Sequence, residues 1–262
     1  MLRLVLLFII SIIVGCSCCF NIVFIEGAQI PLIKSNPLDS FSSSLPRRRD
    51  ETCTQFANRY EPFDYFLLSI QWPGTACVGR KPNECLVPDF INDFTIHGLW
   101  PQFKNPATYP ECCFNVTFDI HQLNPIINDM NQNWPSYYHP NDYFWTHEWL
   151  KHGTCANVTI SQLTYFSNTL RIYSKMHLVD VLKKASIIPS HGSYSKQRME
   201  DTLKNAGFPG VIACTRDKSS IEEVRFCVNR DSLQLMECDQ ALINDIHTHN
   251  PCKDTISYPP IH

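Results

Sequence analysis

The chain has 262 residues, of which 44% are hydrophobic and 18% charged, and its formal net charge is −3. That composition excludes a disordered chain and leaves enough length to bury a substantial core. The slight acidity excludes a protein that grips duplex nucleic acid through a broad basic face; a nucleic-acid substrate would have to be held locally, by a few cationic groups and stacking rings.

Arg3 precedes an apolar run from Leu4 to Val14, followed by small residues around Gly15, Cys16 and Ser17. Residues 1–27 read as a secretory signal, cut near Cys19 or nearer Ala28. The alternative is an uncleaved anchor, because apolar residues resume from Phe20 to Ile25, but Cys16, Ser17 and Asn21 make a weak span. Residues 28–52 read as a linker or pro-segment with Pro31, Pro37, Pro46, Ser40, Ser42, Ser43 and Ser44. The triplet Arg47-Arg48-Arg49 is either a processing site or a solvated basic patch. Residues 53–262 read as the working domain.

Within it, the apolar run Phe63 to Trp72 predicts a buried strand. Residues 73–93 look like loop, with Pro73, Gly74, Gly79, Pro82 and Pro88. A second short strand, Phe94-Thr95-Ile96, is expected to end at His97-Gly98. Ile120, Leu123, Ile126, Ile127 and Met130 have helical spacing within 118–134. Further helices are expected at 143–153, around Leu163 to Tyr173, at 177–186 and at 197–206. Short strands are expected at 211–214, 224–228 and 233–238. Helices and strands without regular alternation predict an α+β fold with a central antiparallel sheet.

Ten cysteines follow the signal: Cys53, Cys77, Cys85, Cys112, Cys113, Cys155, Cys214, Cys227, Cys238 and Cys252. An even number behind a signal segment predicts disulfides made in an oxidising compartment, and the absence of a C-x-x-C pair speaks against structural zinc. Asn115 and Asn157 open two glycosylation sequons.

Two segments carry chemistry: 94–101, containing His97 and Trp100, and 144–155, containing His147, Glu148, Lys151 and His152. On a helix, His147 and Lys151 share one face and Glu148 and His152 the adjacent one, each pair about 40° apart. Trp145 and Trp149 form their own pair, anchoring that helix to the core. The His-Glu-x-x-His zinc motif fails, since Lys151 stands where the second ligand belongs and His147 and His152 lie about 140° apart. Without a metal, two imidazoles can serve as base and acid in cutting an RNA phosphodiester, while Lys151 and His147 stabilise charge on the phosphate. Taken singly, each residue also reads as a structural histidine or a solvated helix face; their joint occurrence favours the catalytic reading.

FTIHGLWP (94–101) and HEWLKHGTC (147–155) resemble the two active-site segments of the ribonuclease T2 family, and QWPGTAC (71–77) resembles its early strand and loop. The likeness runs over about residues 60–255. It implies that His97 is the general acid, His152 the general base, His147 a phosphate-binding histidine, and Glu148 and Lys151 the pair that stabilises the transition state. Trp100 and Tyr109 match aromatics of a base-binding site. Two positions depart from the pattern: Leu150 stands where an acidic residue is expected, and Gln102 stands near the base site where Asp is common, which bears on base preference.

The resemblance further implies a 2′,3′-cyclic phosphate product, low base specificity, no cofactor and no metal. The expected partner is single-stranded RNA, acted on by a monomer that leaves the membrane after signal cleavage and reaches the extracellular space, the vacuole or the lysosome. It implies disulfides Cys77–Cys85, Cys214–Cys252, Cys227–Cys238 and Cys155 with Cys112 or Cys113, which leaves Cys53 for the other of those two. The alternative is a secreted binding or self-incompatibility-type protein of the same fold; such ribonucleases tend to be basic, and the pI of about 6.3 points away from them.

Overall fold

Tyr65–Gln71 forms β1, a buried strand with a neighbour on each side. The computed structural model describes residues 53–81, 83–156 and 160–261; the signal segment, the linker and Asn157 lie outside them. β1 is flanked by β2 (Thr95–Gln102) and β5 (Ile221–Asn229). With β4 (Gly210–Cys214) and the two-residue β6 (Leu235–Met236) they make one antiparallel sheet, in the order β2-β1-β5-β4 with β6 also on β5.

Both faces of this sheet are covered, which is why β1 reads as a continuous apolar run rather than an alternating one. Phe66, Leu68 and Ile70 enter the larger core, while Tyr65 and Leu67 enter a smaller one on the other face. The larger core is closed by α4 (Gln162–Tyr173), α5 (Leu178–Lys184) and α6 (Lys196–Asn205). Ser161 caps α4 and Ser195 caps α6, each hydroxyl accepting a backbone N–H three residues on.

The structure changes several sequence expectations. Residues 73–93 are not all loop, because Pro73 opens a one-turn helix, α1 (Pro73–Ala76). The 118–134 helix is broken into a 3₁₀ segment, Ile120–Ile126, and α2 (Ile127–Asn133). Pro125 lacks the N–H that an α-helix interior needs, so the 3₁₀ winding carries the chain through it and the α-helix begins only at Ile127. The strand begun at Thr95 does not stop at His97-Gly98 but runs on to Gln102.

Besides α1, three elements were not anticipated. α7 (Gln240–His249) is capped by Asp239 and puts Leu242 and Ile246 into the smaller core. Its signal was present: a capping residue followed by apolar residues at helical spacing. The two-stranded pair β3 (Ser193–Ser195) and β7 (Thr255–Ser257) had no such signal, since three-residue strands of serine and threonine lack an apolar pattern.

Five disulfides are present: Cys53–Cys112, Cys77–Cys85, Cys113–Cys155, Cys214–Cys252 and Cys227–Cys238. They settle which of the two adjacent cysteines takes Cys155. Cys113 does, and Cys112 takes Cys53. Asn115 is exposed.

Candidate active site

Ile96 and Leu99 on β2 both face the larger core although they are three residues apart, which strict alternation forbids. The register accounts for it. Gly98 lies opposite Ser69 and Ile96 opposite Ile70, so His97 is the extra residue of a β-bulge. Its carbonyl accepts a hydrogen bond from the Trp134 indole at 2.9 Å, and the Trp134 carbonyl accepts one from the Trp145 indole at 2.8 Å. Two buried indoles thus tie the bulge to α3 (Asn141–Lys151).

α3 carries the second group. Trp145 and Trp149 are buried in the larger core and anchor the helix there. Glu148 is buried as well, at 1% exposed, rather than lying on a solvated face. The helix stops at Lys151, and His152 is its C-cap with φ −117° and ψ −49°. A 3₁₀ turn, Gly153–Cys155, follows.

Trp100 joins the two groups. Its ring stands edge-on to His97 at 5.0 Å between centroids and lies 5.3 Å from His152. Its Nε1 donates to Glu148 Oε2 at 2.9 Å. Two imidazoles from distant stretches of chain therefore flank one indole, whose nitrogen holds a buried carboxylate. The His147 ring lies 6.4 Å from that of His152.

Gly98 makes this possible, and not by freeing a turn. A Cβ there would sit 2.2 Å from Glu148 Oε2 and 2.2 Å from Trp100 Nε1. Glycine is needed because a carboxylate and an indole crowd the strand.

The loop before α2 supplies Tyr109, whose ring lies 6.1 Å from His152 and 5.9 Å from Lys151 Nζ. Lys151 also pairs with Glu111 at 3.6 Å. Cys113–Cys155 and a bond from Cys112 N–H to the Lys151 carbonyl at 2.8 Å pin this loop to the end of α3. Gln102, two residues beyond Trp100, is buried, and its carbonyl accepts from Asp64 N–H at the approach to β1. The Trp100 pyrrole nitrogen is committed to Glu148, a task the sequence did not suggest.

The motifs also gave no hint of Glu223 and Arg225 on β5. Glu223 Oε1 lies 2.5 Å from His97 Nδ1, and Oε2 accepts from Arg225 Nε at 2.9 Å and pairs with Nη2 at 2.8 Å. The available signal was a Glu-x-Arg pair inside an apolar strand, because charges placed there need partners. A cleft of about 160 Å³ opens beside His97, lined in part by Gln71, Ser136, Tyr138 and Phe144. A larger groove of about 580 Å³, by Tyr60, Phe63 and Ile160, lies away from the histidines.

The surroundings push the two imidazoles in opposite directions. Burial holds His152 well below the ordinary 6.5, helped by the charges of Lys151, His147 and His97. Its buried Nδ1 has no hydrogen-bond partner among the described residues, a cost that a charged ring would increase. Burial also works against charge on His97, but the charge and hydrogen bond of Glu223 outweigh it and raise His97 above 6.5. Burial raises Glu148 above the usual carboxylate value, against the charges of His97 and His147. Two titrating groups driven apart in this way suit an acid and a base.

His147, Glu148 and His152 bring one ligand atom each within 4.8 Å of one another. The regular-helix argument against such convergence does not hold here, because His152 has left the helix. The adjacent Lys151 ammonium still opposes a cation, and Trp100 already holds Glu148. An ammonium beside two imidazoles suits a phosphate.

Residues 63–238 match the model of the Ribonuclease T2 family. The chain is 36% identical to Ribonuclease 1 of Arabidopsis thaliana over 76% of this chain and 87% of that protein. It is 34% identical to Extracellular ribonuclease LE of Solanum lycopersicum, over 79% and 91%. Among solved structures it resembles an RNase-related protein from Calystegia sepium, with TM-score 0.66 and 30% identity over 78% of this chain and all of that one. It also resembles RNase NT in complex with 5′-AMP, with TM-score 0.64 and 30% identity over 76% and 100%. The chain belongs to the ribonuclease T2 family.

Proposed function

We propose that the protein is an endoribonuclease that cuts single-stranded RNA by acid–base transphosphorylation without a metal or cofactor. The observation that carries this reading is the placement of His97 and His152 on either side of Trp100, with Lys151, His147 and Glu148 beside them. Neutral His152 takes the proton of the 2′-hydroxyl, and the 2′-oxygen attacks phosphorus. The P–O5′ bond breaks, and protonated His97 gives its proton to the leaving 5′-oxygen. Lys151 and His147 stabilise the negative charge that gathers on the phosphate oxygens, with Glu148 supporting the cations. Water then opens the 2′,3′-cyclic phosphate to a 3′-phosphate with the two histidines exchanging roles.

Tyr109 presents an exposed ring for stacking on a base, with Trp100 on the same side of the site against His152. Gln102, buried two residues further along β2, is the third base-site residue in this reading. Stacking accepts every base, so base specificity is low. The binding or self-incompatibility alternative gains no support from a site that keeps all five acid–base and charge-stabilising residues.

Residues 1–27 serve as a secretory signal and 28–52 as a linker or pro-segment ahead of a catalytic domain over 53–262. The five disulfides fit that route, and Asn115 and Asn157 are its glycosylation sites. Among the described residues, no helix is long and apolar enough to cross a membrane. The relatives named extracellular and intracellular ribonucleases leave both secretion and vacuolar or lysosomal delivery as destinations. The protein acts as a monomer.

The deciding assay is digestion of mixed RNA with and without EDTA, with product ends identified. Cleavage is unchanged by chelator and yields cyclic phosphates; a chelator-sensitive activity, or none, overturns the reading. A second assay follows kcat/KM with pH. Activity rises as His152 loses its proton well below pH 6.5 and falls as His97 loses its own above it, giving an optimum on the acid side of neutrality. A profile flat to pH 9 would exclude His97 as the proton donor.

A further inference from the structure

The general-acid reading of His97 leaves Glu223 and Arg225 without a task. Both lie on β5, two residues apart and therefore on the same face of the sheet, with Glu223 opposite Gln71 of β1. Glu223 is 7% exposed, so its charge needs partners. Arg225 supplies them to one oxygen through Nε and Nη2. The other oxygen goes to His97 Nδ1. A purely structural pair would have no need of an imidazole, nor of leaving one edge of that ring accessible; yet 36% of the His97 side chain reaches solvent, and the ring borders the cleft.

We propose that Glu223, clamped by Arg225, is the positioning residue of His97, fixing the ring so that Nδ1–H faces the sheet and Nε2 faces the scissile phosphate. Because a carboxylate only accepts, the hydrogen of this bond sits on Nδ1, and the transferable proton is left on Nε2. The ring is thus held at three points: its backbone by the bulge, its carbonyl by Trp134, and its far nitrogen by Glu223. When the proton leaves Nε2, the neutral ring keeps Nδ1–H bonded to Glu223, so no tautomer change interrupts the step. Glu223 does not touch the substrate; it acts through His97.

The charge of Glu223 also keeps the donor loaded. Other groups act on the same ring. From β5 come Glu222 and Arg225, and from α3 Glu148, with His147 and Lys151 beyond it. His152 faces it from the helix cap, and Tyr138 and His139 line the cleft alongside it. Glu222, Glu223 and Glu148 favour the charged ring, whereas Arg225 and His152 disfavour it. Burial works against a charge on Glu223 itself, but His97 and Arg225 more than offset it and hold that carboxyl far below its usual range, so it stays ionised wherever the enzyme works.

This arrangement gives two neighbouring substitutions opposite signs. Glu223→Gln keeps the size and the contact with Arg225 but removes the negative charge. The alkaline limb of kcat/KM then moves to lower pH by about one unit or more, and activity near pH 7 falls about tenfold or more with little change in KM. Arg225→Gln removes a positive charge and leaves the carboxylate, so the alkaline limb moves to higher pH. Glu223→Asp restores part of the wild-type profile. A structural ion pair would instead give both variants lower thermal stability with the limbs and the His97 titration midpoint both unmoved, and that result overturns the proposal.

The inference rests on His97 being the acid, so the ring is also titrated directly, by following its imidazole C–H signals by NMR. If the His97 midpoint falls in Glu223→Gln but the rate limb does not, the positioning stands and the acid assignment fails. If the His97 midpoint does not move, Glu223 is not its positioning residue. Should Glu223→Gln fail to fold, Arg225→Gln and Glu223→Asp carry the same titration.

Discussion

His152→Ala lowers kcat/KM on RNA by about 10²–10⁴-fold, and His97→Ala does so by the same order, while both variants stay folded. The size follows from the loss of one proton transfer, with the charge stabilisation of Lys151 and His147 left in place. The double variant is little worse than either single one, since acid and base act within one step. Folding survives for different reasons at the two positions. Removing the His97 ring leaves Glu223 paired with Arg225, so no buried charge is stranded. Removing the His152 ring takes away a group that burial already disfavours in its charged form, and Cys113–Cys155 still fixes the chain end. The measurements are single-turnover cleavage and thermal unfolding of the same preparations. Near-wild-type cleavage by either single variant would remove the acid–base pair from the mechanism.

Gly98→Ala is expected to damage stability and activity together. The new methyl would stand 2.2 Å from both Glu148 Oε2 and Trp100 Nε1, which are hydrogen-bonded to each other. Neither has room to yield, because Glu148 is buried and Trp100 lies between two imidazoles. Overpacking of this kind costs about 1–3 kcal/mol. Parting a buried carboxylate from its donor adds a further penalty of about 1–3 kcal/mol, because the charge is left unsatisfied. Catalysis suffers as well, since misplacing reacting groups by about 1 Å can cost about a hundredfold. Ser69, the cross-strand neighbour of Gly98, is also buried, but Ser69→Ala removes an atom rather than adding one and so cannot overpack, which makes it the control. Normal melting and normal kcat in the Gly98→Ala variant would show that the strand is not crowded in this way.

The two histidine segments were legible as chemistry because an RNA-cutting site needs two imidazoles and a cation, and the chain offers them in two short runs. The helical reading of 143–153 placed Trp145 and Trp149 correctly as anchors, since i, i+4 neighbours share a face whatever the helix packs against. The same reading made His147 and His152 diverge. It failed at the last residue, where the helix ends and His152 turns back toward its neighbours. The strand expected to end at His97-Gly98 passes through Gly98 and runs on to Gln102. Local pattern can see a glycine but not the side chains that crowd it from another element.

Residue order alone specified the class of chemistry and the strand and helix inventory apart from α1, α7 and the short β3 and β7; these follow from periodicity, residue type and motif, which are local properties. The disulfide pairings came only from the likeness to the family, which left the partners of Cys53 and Cys155 open. The folded arrangement was needed to make His97 a bulge residue, to stand Trp100 between the two imidazoles, and to bring Glu223 and Arg225 to His97 from a strand more than a hundred residues away. The physical reason is register. Which residues of β1, β2 and β5 face one another is fixed by burying Phe66, Leu68 and Ile70 on one face of the sheet and Tyr65 and Leu67 on the other. That global packing choice brings together a carboxylate and an imidazole that nothing local connects.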